Sequence, residues 1–273
     1  MEEAMEDVIA QRIQEIKDNP SLPPPPPEPR LPDLHCTLLV RQKVTSVQRF
    51  VESFEYNYTG QPFVRMLRSR GMSHIASCAK QIIRAALPIQ CVEAVFLGCI
   101  LTAELKTVDR VPLSFKSKMG DTYHRHIVLA LRHENKWGAI GISRRSNLMN
   151  KDFRFDTLTQ LVENFEKSYE SCFHKLLVVY VGLPFSHDVH SDMPIKWRAV
   201  RVSLNPQYRN HMVEQLEMYA ASMVKVFEIF QMTGKLPESI NRRTKLPEFH
   251  RRSRSLTRSI RSDSDTDIKA EQH

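Results

Sequence analysis

The sequence predicts an α+β protein in which a buried helix carrying a cysteine packs on an antiparallel sheet. The first observation is the segment "CVEAVFLGCILTAEL" (91–105), which is apolar nearly all round, as expected of a helix without a solvent-exposed face. The second is a pair of strand-like runs, "HRHIVLALRH" (124–133) and "KWGAIGIS" (136–143), separated by the hairpin signature "RHENK". The predicted fold class depends on this buried helix followed by a hairpin.

The remaining segments are interpreted in the same way along the chain. Residues 44–57 and 72–87 are predicted to be helical, and residues 157–171 to form an amphipathic helix. "KLLVVYVGL" (175–183) is predicted as a buried strand, and the alternating "WRAVRVSL" (197–204) as a half-exposed one. A last, long helix carries a Met and aromatic stripe that predicts core packing or a helix seam: Met212, Leu216, Tyr219, Met223, Val226 and Phe230.

Composition divides the chain into four parts. Residues 1–19 are predicted to form an amphipathic helix that either packs on the main domain or docks a partner helix. Residues 20–33 hold eight of the sixteen prolines and predict a polyproline II linker, with binding to a proline-reading domain as the alternative. Residues 34–235 are predicted to form the compact domain. Residues 236–273 are basic, rich in Ser and Arg, and predicted to be disordered, with an Arg-Ser spacing that suits phosphorylation.

Length, charge and cysteine content limit the classes of protein. The 273 residues suffice for one large domain or two small ones, and the formal net charge of +8 favours acidic partners. No apolar run reaches the roughly 18–20 residues that span a bilayer, and the acidic start "MEEAMEDV" is unlike a secretory signal. The five cysteines, an odd number without paired spacing, indicate reduced thiols. The sequence therefore predicts an intracellular protein with no membrane span.

Cys91 is the candidate nucleophile because of its place in the buried helix. Pro88 suits the start of a helix, so Cys91 falls in or just before the first turn. Unpaired backbone N–H groups and the helix dipole stabilise a thiolate at that position. Cys99 lies deeper on nearly the same face and is predicted to be an inert core thiol. A purely structural thiol is the alternative for Cys91 as well.

A histidine on the following strand is the candidate base. In papain-like and transglutaminase-like enzymes, a Cys on a helix precedes a His on one strand and an orienting acceptor on the next, which is the order found here. His124 and His126 share a strand face, so periodicity leaves both open, and a His-x-His zinc site is a further alternative. A second candidate metal cluster lies in "SHDVHSD": His187, Asp188, His190 and Asp192.

Five motifs, in order and with matching gaps, resemble the vasohibin family. They are "YNYTG" (56–60), "LPIQCVEAVFLG" (87–98), "FK" (115–116), "HIVLAL" (126–131) and "GISRRSNLM" (141–149). The resemblance covers roughly residues 34–220. It implies a transglutaminase-like cysteine carboxypeptidase that removes the C-terminal tyrosine of α-tubulin without a cofactor. It also argues against a metal in "SHDVHSD", because that segment is similar to a short family motif.

The resemblance implies the catalytic residues. The family's nucleophile falls on Cys91 and its base on His126, which decides between the two histidines of the strand. The group that orients the imidazole falls on Ser143, through either its hydroxyl or its backbone carbonyl. These three residues would hydrolyse the peptide bond by thiolate attack on its carbonyl.

The resemblance also implies the substrate-binding residues. Arg144 matches the family's carboxylate-binding arginine, which suits bidentate recognition of a chain terminus. Lys116 matches a lysine that faces the acidic tail, and Arg68 falls where the family is basic. Tyr56 matches a tyrosine beside the nucleophile. Gln90 stands where the family usually has a lysine, which puts the strict preference for a terminal tyrosine in question.

The implied partners are the α-tubulin tail on microtubules and a small helical companion like the vasohibin-binding protein. The implied location is the cytoplasm at the cytoskeleton, and unconventional export stays compatible with the resemblance. One alternative is a catalytically weak microtubule-binding protein, which Gln90 and the basic tail favour. Another is acyl transfer to an amine, as in transglutaminases. Nucleic-acid binding is not expected, because the sequence has no aromatic-interleaved RNA motif.

Overall fold

The computed structural model describes residues 2–21, 27, 29–34, 37–238 and 240. The central prolines of the predicted linker and residues 241–273 of the predicted tail lie outside the described residues. Cys36 also lies outside them. Among the described residues, no helix combines the length and apolar character needed to cross a bilayer.

Four helices come first in the described chain and most of the strands follow as runs, as expected of an α+β protein, and this prediction is confirmed. The strands are β1 (Asp109–Met119), β2 (Thr122–His133), β3 (Lys136–Ile140), β4 (Lys151–Phe155), β5 (Lys175–Val181) and β6 (Val200–Ser203). The helices are α1 (Glu2–Asp18), α2 (Val40–Glu52), α3 (Met72–Ala85), α4 (Cys91–Leu101), α5 (Leu158–Glu170) and α6 (Arg209–Thr233), with short 3-10 turns at Ser146–Leu148 and Pro206–Tyr208.

All six strands form one antiparallel sheet in the order β4-β3-β2-β1-β5-β6. The predicted hairpin is confirmed as β2 and β3, joined by a tight turn in which Glu134 and Asn135 both have positive φ angles. The strands predicted at 175–183 and 197–204 are present as β5 and β6 with shorter bounds. The sheet is therefore larger than the sequence predicts, because it contains two further strands.

The sequence does not predict β1, although β1 lies between β2 and β5 near the middle of the sheet. The strand contains Pro112, which cannot donate to a ladder, and a proline argues against a central strand. The ladder is kept because the Pro112 carbonyl accepts from the Gly182 N–H at 2.9 Å. Half-buried Lys116 and Lys118 alternate with buried side chains and so weaken the apolar signal further.

Two apolar clusters cover the two faces of the sheet. On one face, α5 and α6 bury Phe165 and Leu216 against β1, β2 and β5. On the other face, Ile127 and Leu129 of β2 pack against α2, α3 and α4. The stripe predicted on α6 is confirmed as core packing: Met212, Leu216, Tyr219, Met223 and Val226 are buried, and Phe230 packs partly against the same cluster.

Helices α2 and α4 end four or more residues before their predicted bounds. Helix α2 stops at Glu52, and the chain then turns so that Tyr56 forms a bridge with Ile89, directly before α4. Helix α4 stops at Leu101, where the Thr102 hydroxyl donates to a carbonyl of the last turn. The first of these ends matters for the site, because it brings Tyr56 to the start of the cysteine-bearing helix.

Candidate active site

Cys91 is the first residue of α4 and lies at the open edge of β2. Gln90 is extended and caps the helix, so the Cys91 sulfur lies beside the unpaired N–H groups of the first turn. Strand β3 pairs with β2 only as far as Leu129. Beyond that point, the backbone N–H of Ile127 donates to Cys91 Sγ. The sulfur therefore takes a hydrogen bond that a neighbouring strand would otherwise accept.

Burial and hydrogen bonding shift the pKa of the Cys91 thiol in opposite directions. Burial is the larger effect and raises the pKa of Cys91 above its usual value. The backbone N–H groups of Ile127 and Val92 and the charge of Arg68 partly lower that pKa. The resting residue is a neutral thiol, and it needs a base to become a nucleophile.

His126 can act as that base, because its ring is neutral and its orientation is fixed. The ring stacks on Phe115 with centroids 6.2 Å apart, and Nε2 lies 2.9 Å from the backbone oxygen of Leu148. Burial lowers the pKa of His126 to about 4, although the Leu148 hydrogen bond raises it in part. Since a carbonyl only accepts, Nε2 carries the proton and Nδ1 keeps the lone pair that can receive a thiol proton.

The group that holds His126 differs from the predicted Ser143. Ser143 follows β3, and its Oγ accepts the backbone N–H of Arg145 at 3.3 Å. It makes no hydrogen bond to His126 in the described part of the chain. The 3-10 turn that follows instead brings its last carbonyl, that of Leu148, to the imidazole. The expected direct bond from Ser143 is therefore corrected to one from the Leu148 backbone.

Cys91 and His126 line one cavity of about 110 Å³. Every charged side chain among the cavity-lining residues is basic: Arg68, Lys116, Arg125 and Arg198. The other lining residues are Val92, Ser114, Phe115, Ile127 and Tyr180. Cations of one sign around a small cavity attract an anionic peptide and raise its local concentration.

Arg68 is tied to the same helix as Cys91. Trp197 Nε1 donates to the Arg68 backbone oxygen at 2.7 Å, and the guanidinium lies 5.8 Å from the Trp197 ring centre. That ring stacks on Phe96 of α4, with centroids 5.8 Å apart. The structure therefore places the predicted Arg68 and Lys116 together with Cys91 and His126.

Arg144 places a further cation near the nucleophile, through its contact with Tyr56. The Arg144 guanidinium lies 5.4 Å from the ring centre of Tyr56 and 5.7 Å from that of Tyr58. Burial raises the pKa of Tyr56, and the nearby Cys91 raises it further, whereas a hydrogen bond from Arg144 lowers it. The two rings also contact each other, with centroids 5.2 Å apart, so the guanidinium lies beside the pair and keeps its charge for a carboxylate.

Gln90 contributes to the site through its backbone N–H. Its N–H donates to Glu93 Oε2 at 2.7 Å, and Glu93 is only 1 % exposed. Burial raises the pKa of Glu93 to about 7, although backbone hydrogen bonds from Gln90 and Val64 lower it in part. Gln90 is not one of the cavity-lining residues, and its role as a substrate contact stays a prediction.

The histidines considered for metal binding have other contacts. The ring of His124 lies edge-on to His174 with centroids 4.7 Å apart, and His187 Nδ1 bonds to the Ala103 backbone oxygen at 2.8 Å. Within the described residues, no group of three or more His, Cys, Asp or Glu side chains is placed to hold a metal ion.

The structure adds residues to the site that the sequence analysis did not single out. Arg125 and Arg198 line the cavity, and Tyr58 shares Arg144 with Tyr56. Arg125 lies opposite Lys116 in the β1–β2 ladder, and because β1 was not predicted, no local pattern indicated this pairing. Leu148 acts through its backbone, and Arg198 reaches the cavity from a distant loop, so neither leaves a motif.

An α+β fold that brings a helix N-terminal thiol and a neutral imidazole into one cavity defines the class of this protein: it has the architecture of the transglutaminase-like thiol enzymes. The chain belongs to the vasohibin family, whose family model matches residues 4–224. The resemblance seen in the sequence is thereby confirmed, and the match begins within α1.

A curated relative supports the same family. Tubulinyl-Tyr carboxypeptidase 1 of Mus musculus is 37% identical to the chain over 215 residues. The aligned part is 79% of this chain and 56% of the mouse protein. The chain thus spans little more than half the length of that relative.

Proposed function

We propose that the protein is a cysteine carboxypeptidase that removes the terminal tyrosine from the acidic tail of α-tubulin, in the cytoplasm at microtubules. The observation that carries the proposal is that Cys91 and His126 share a cavity in which every charged lining side chain is a cation. Family membership and the activity named for the mouse relative support the same reaction. The activity proposed rests on this site and not on the fold alone.

The first half of the reaction transfers the peptide acyl group to sulfur. His126 Nδ1 takes the proton of Cys91, and the thiolate attacks the carbonyl carbon of the last peptide bond. As the tetrahedral intermediate collapses, the C–N bond breaks and the amine of the leaving tyrosine receives the proton from Nδ1. The Leu148 carbonyl accepts from Nε2–H throughout and so keeps the ring in place.

The second half returns the free enzyme. A water molecule gives a proton to His126 Nδ1 and attacks the thioester carbonyl, the C–S bond breaks, and the proton passes to the Cys91 sulfur. Tyr56 is proposed to donate its hydroxyl proton to the developing oxyanion, because the hydroxyl also accepts from Arg144 and is polarised by it. Water and amines compete for the same thioester, and hydrolysis is proposed as the main outcome.

We propose that different cations bind the terminal carboxylate of the substrate tail and the acidic residues before it. Arg144 binds the terminal carboxylate, since a guanidinium matches that group bidentately. The cationic cavity side chains, represented by Arg68 and Lys116, bind the acidic residues before the scissile bond. Gln90 is proposed as a neutral neighbour of the carboxylate site that donates through its amide.

A small helical companion is proposed to dock near α1. Val8 of α1 is 58 % exposed, and Leu39, just before α2, is 70 % exposed. Apolar side chains at such positions are suited to packing against a partner helix. Loss of companion binding by Val8→Glu or by Leu39→Glu, each with an unchanged melting temperature, would support docking at that position, and unchanged binding by both would contradict it.

The test of the proposed activity is mass spectrometry of tubulin tails after incubation with the purified protein, with and without a helical companion. A loss of one tyrosine mass is expected with the wild type and not with Cys91→Ala. Cys99→Ala is the matched control, because it removes a thiol from the same helix. Unchanged tails under every condition, or full activity in Cys91→Ala, would contradict the proposed function.

A further inference from the structure

Beyond the cavity, the cationic surface continues along the β1–β2 hairpin. Lys116 and Arg125, which line the cavity, are directly paired across the two strands. Two residues further out on the same face, Lys118 pairs with Tyr123 on one side and with Lys175 of β5 on the other. The row of Lys118, Tyr123 and Lys175 is called the outer row below. It is continuous with the cavity and lies on its solvent side.

Tyr123 connects the outer row to the cavity. Its ring centre lies 4.7 Å from Lys116 Nζ and 5.8 Å from Lys118 Nζ, and the residue is 57 % exposed. The attraction of both ammonium groups to one ring keeps the two lysine side chains beside Tyr123 along the hairpin. An exposed aromatic side chain between two lysines also offers apolar contact to a passing peptide backbone.

The lysines of the outer row are available to a ligand. Lys118 pairs with Asp121 at 3.2 Å, but the Asp121 side chain is fully exposed at the hairpin tip. Exposed ion pairs of this kind contribute little free energy, so a substrate carboxylate can replace Asp121. Lys175 is exposed at the start of β5. The outer row therefore presents positive charge to solvent at the mouth of the cavity.

Distance along the strands sets which part of a substrate would meet the outer row. Tyr123 lies three residues from His126, which is about 10 Å at the rise of a β-strand. An extended peptide covers that distance in about three residues. A tail with its last peptide bond at Cys91 would thus bring residues three to four positions upstream of that bond to the outer row.

We propose that Lys118, Tyr123 and Lys175 form an outer subsite that binds acidic side chains three to four residues upstream of the scissile bond. The inference rests on the proposed function for the direction of the tail. The subsite selects substrates with a long acidic tail over those with only a suitable terminal residue. It is distinct from the cavity, because none of its three residues lines the cavity.

The experiment measures peptide binding to the Cys91→Ala protein by fluorescence anisotropy. Two labelled peptides end in tyrosine and carry glutamate near the end, but differ at the third and fourth residues upstream of the last bond. The outer-acidic peptide has glutamate there, and the outer-neutral peptide has glutamine. The expected Kd of the outer-acidic peptide is about tenfold lower, and Lys118→Gln/Lys175→Gln is expected to reduce that ratio to about twofold.

The control is Lys80→Gln, which removes an exposed lysine from α3 and should keep the ratio near tenfold. A charge-swap pair sharpens the result: Lys118→Glu should bind better to a peptide with lysine at the two outer positions than to the outer-acidic peptide. Melting temperatures of all variants, compared with that of the parent, show whether the hairpin stays folded. Tyr123→Leu should lose part of the discrimination, about threefold, because the lysines lose their shared ring.

The result that overturns the outer subsite is a Kd ratio that stays near tenfold in Lys118→Gln/Lys175→Gln, or a ratio near one in the parent protein. This readout needs no turnover, because the thiol has been removed. An absence of tyrosine release by the wild type would contradict the proposed function instead. The two failures are therefore distinguishable.

Discussion

The two ends of α4 place the same side chain in opposite settings. At the N-terminal end, half-buried Cys91 lines a cavity, accepts backbone hydrogen bonds and lies near the charge of Arg68. At the C-terminal end, Cys99 is 0 % exposed, lies 3.8 Å from the Met72 sulfur, and burial raises its pKa to about 12 although the nearby Arg110 lowers it in part. One helix thus holds an accessible thiol and an inert one.

The C-terminal end has a different anchor from the N-terminal end. Arg110 is 0 % exposed and donates to the backbone oxygens of Cys99 and Ser186, each at 2.6 Å, and of Phe185 at 3.2 Å. A cation at the end of a helix satisfies carbonyls that have no partner in the helix. The last turn of α4 is therefore built for stability, whereas the first turn is open for chemistry.

The largest expected effect contrasts the two thiols. Cys91→Ala should lower kcat/KM for tyrosine release by about 10⁴-fold or more, because the proposed nucleophile is removed. Cys99→Ala should change kcat/KM by less than about twofold and reduce the free energy of unfolding by about 1 kcal/mol through a small cavity. Steady-state kinetics and urea unfolding measure both. Similar activity losses in the two variants would remove the distinction between the ends.

The next effect tests the anchor at the C-terminal end. Arg110→Met should reduce the free energy of unfolding by about 4 kcal/mol, because the three carbonyl oxygens lose charged donors inside the protein. Urea unfolding measures the loss, and Arg41→Met, which removes an exposed arginine from α2, is the matched control. A difference of less than 1 kcal/mol between the variants would show that the anchor is unimportant.

A third effect concerns the N-terminal end and depends on pH. The folded-state pKa of Glu93, about 7, lies above its usual value of 4.5, so its contribution to stability is present below pH 4.5 and lost as pH rises to 7. Glu93→Gln lacks this loss and should gain about 3 kcal/mol of unfolding free energy relative to the wild type between pH 4.5 and 8. Denaturation at a series of pH values measures the difference. A constant difference would mean that Glu93 ionises normally.

The smallest effect concerns the proposed base beside the open end. With its pKa lowered to about 4, His126 stays neutral as pH falls from 7 to 5.5. An unperturbed imidazole would lose about 90% of its neutral form over that range. The substrate is a peptide in which glutamine replaces every glutamate, so that the peptide side chains do not titrate in this range. Its expected kcat/KM is therefore nearly constant to pH 5.5 and falls as pH approaches 4. A tenfold decline by pH 5.5 would contradict the burial of the base.

Most of the fold follows from periodicity, and the exceptions have physical reasons. Helix α4, the β2–β3 hairpin and α6 are apolar over enough residues for their type to be evident. Strand β1 is different, because Pro112 and the alternating lysines reflect its contacts with other elements and not a local preference. Its place beside β5 depends on pairing between residues far apart in the chain, which no local pattern records.

In the site, too, some parts could be predicted from the sequence and others could not: the side chains could, and the backbone contacts could not. Cys91, His126, Lys116 and Arg68 were predicted from residue types and family motifs, and the structure brings them to one cavity. The acceptor of His126 was predicted at Ser143, through either its hydroxyl or its carbonyl, whereas the structure has the Leu148 carbonyl there, a group that any residue carries. Backbone donors and acceptors are therefore the part of a site that a sequence hides most completely.

The hydrogen bond from the Ile127 amide to Cys91 has a further use in solution. Among the described strands, β3 pairs with β2 only as far as Leu129, so the Ile127 amide has the Cys91 sulfur as its partner on that side. Acylation, alkylation or oxidation of the sulfur changes that partner while leaving the rest of the ladder intact. The amide resonance of Ile127 is therefore a natural spectroscopic label, through which the covalent state of Cys91 can be followed during turnover without any added probe.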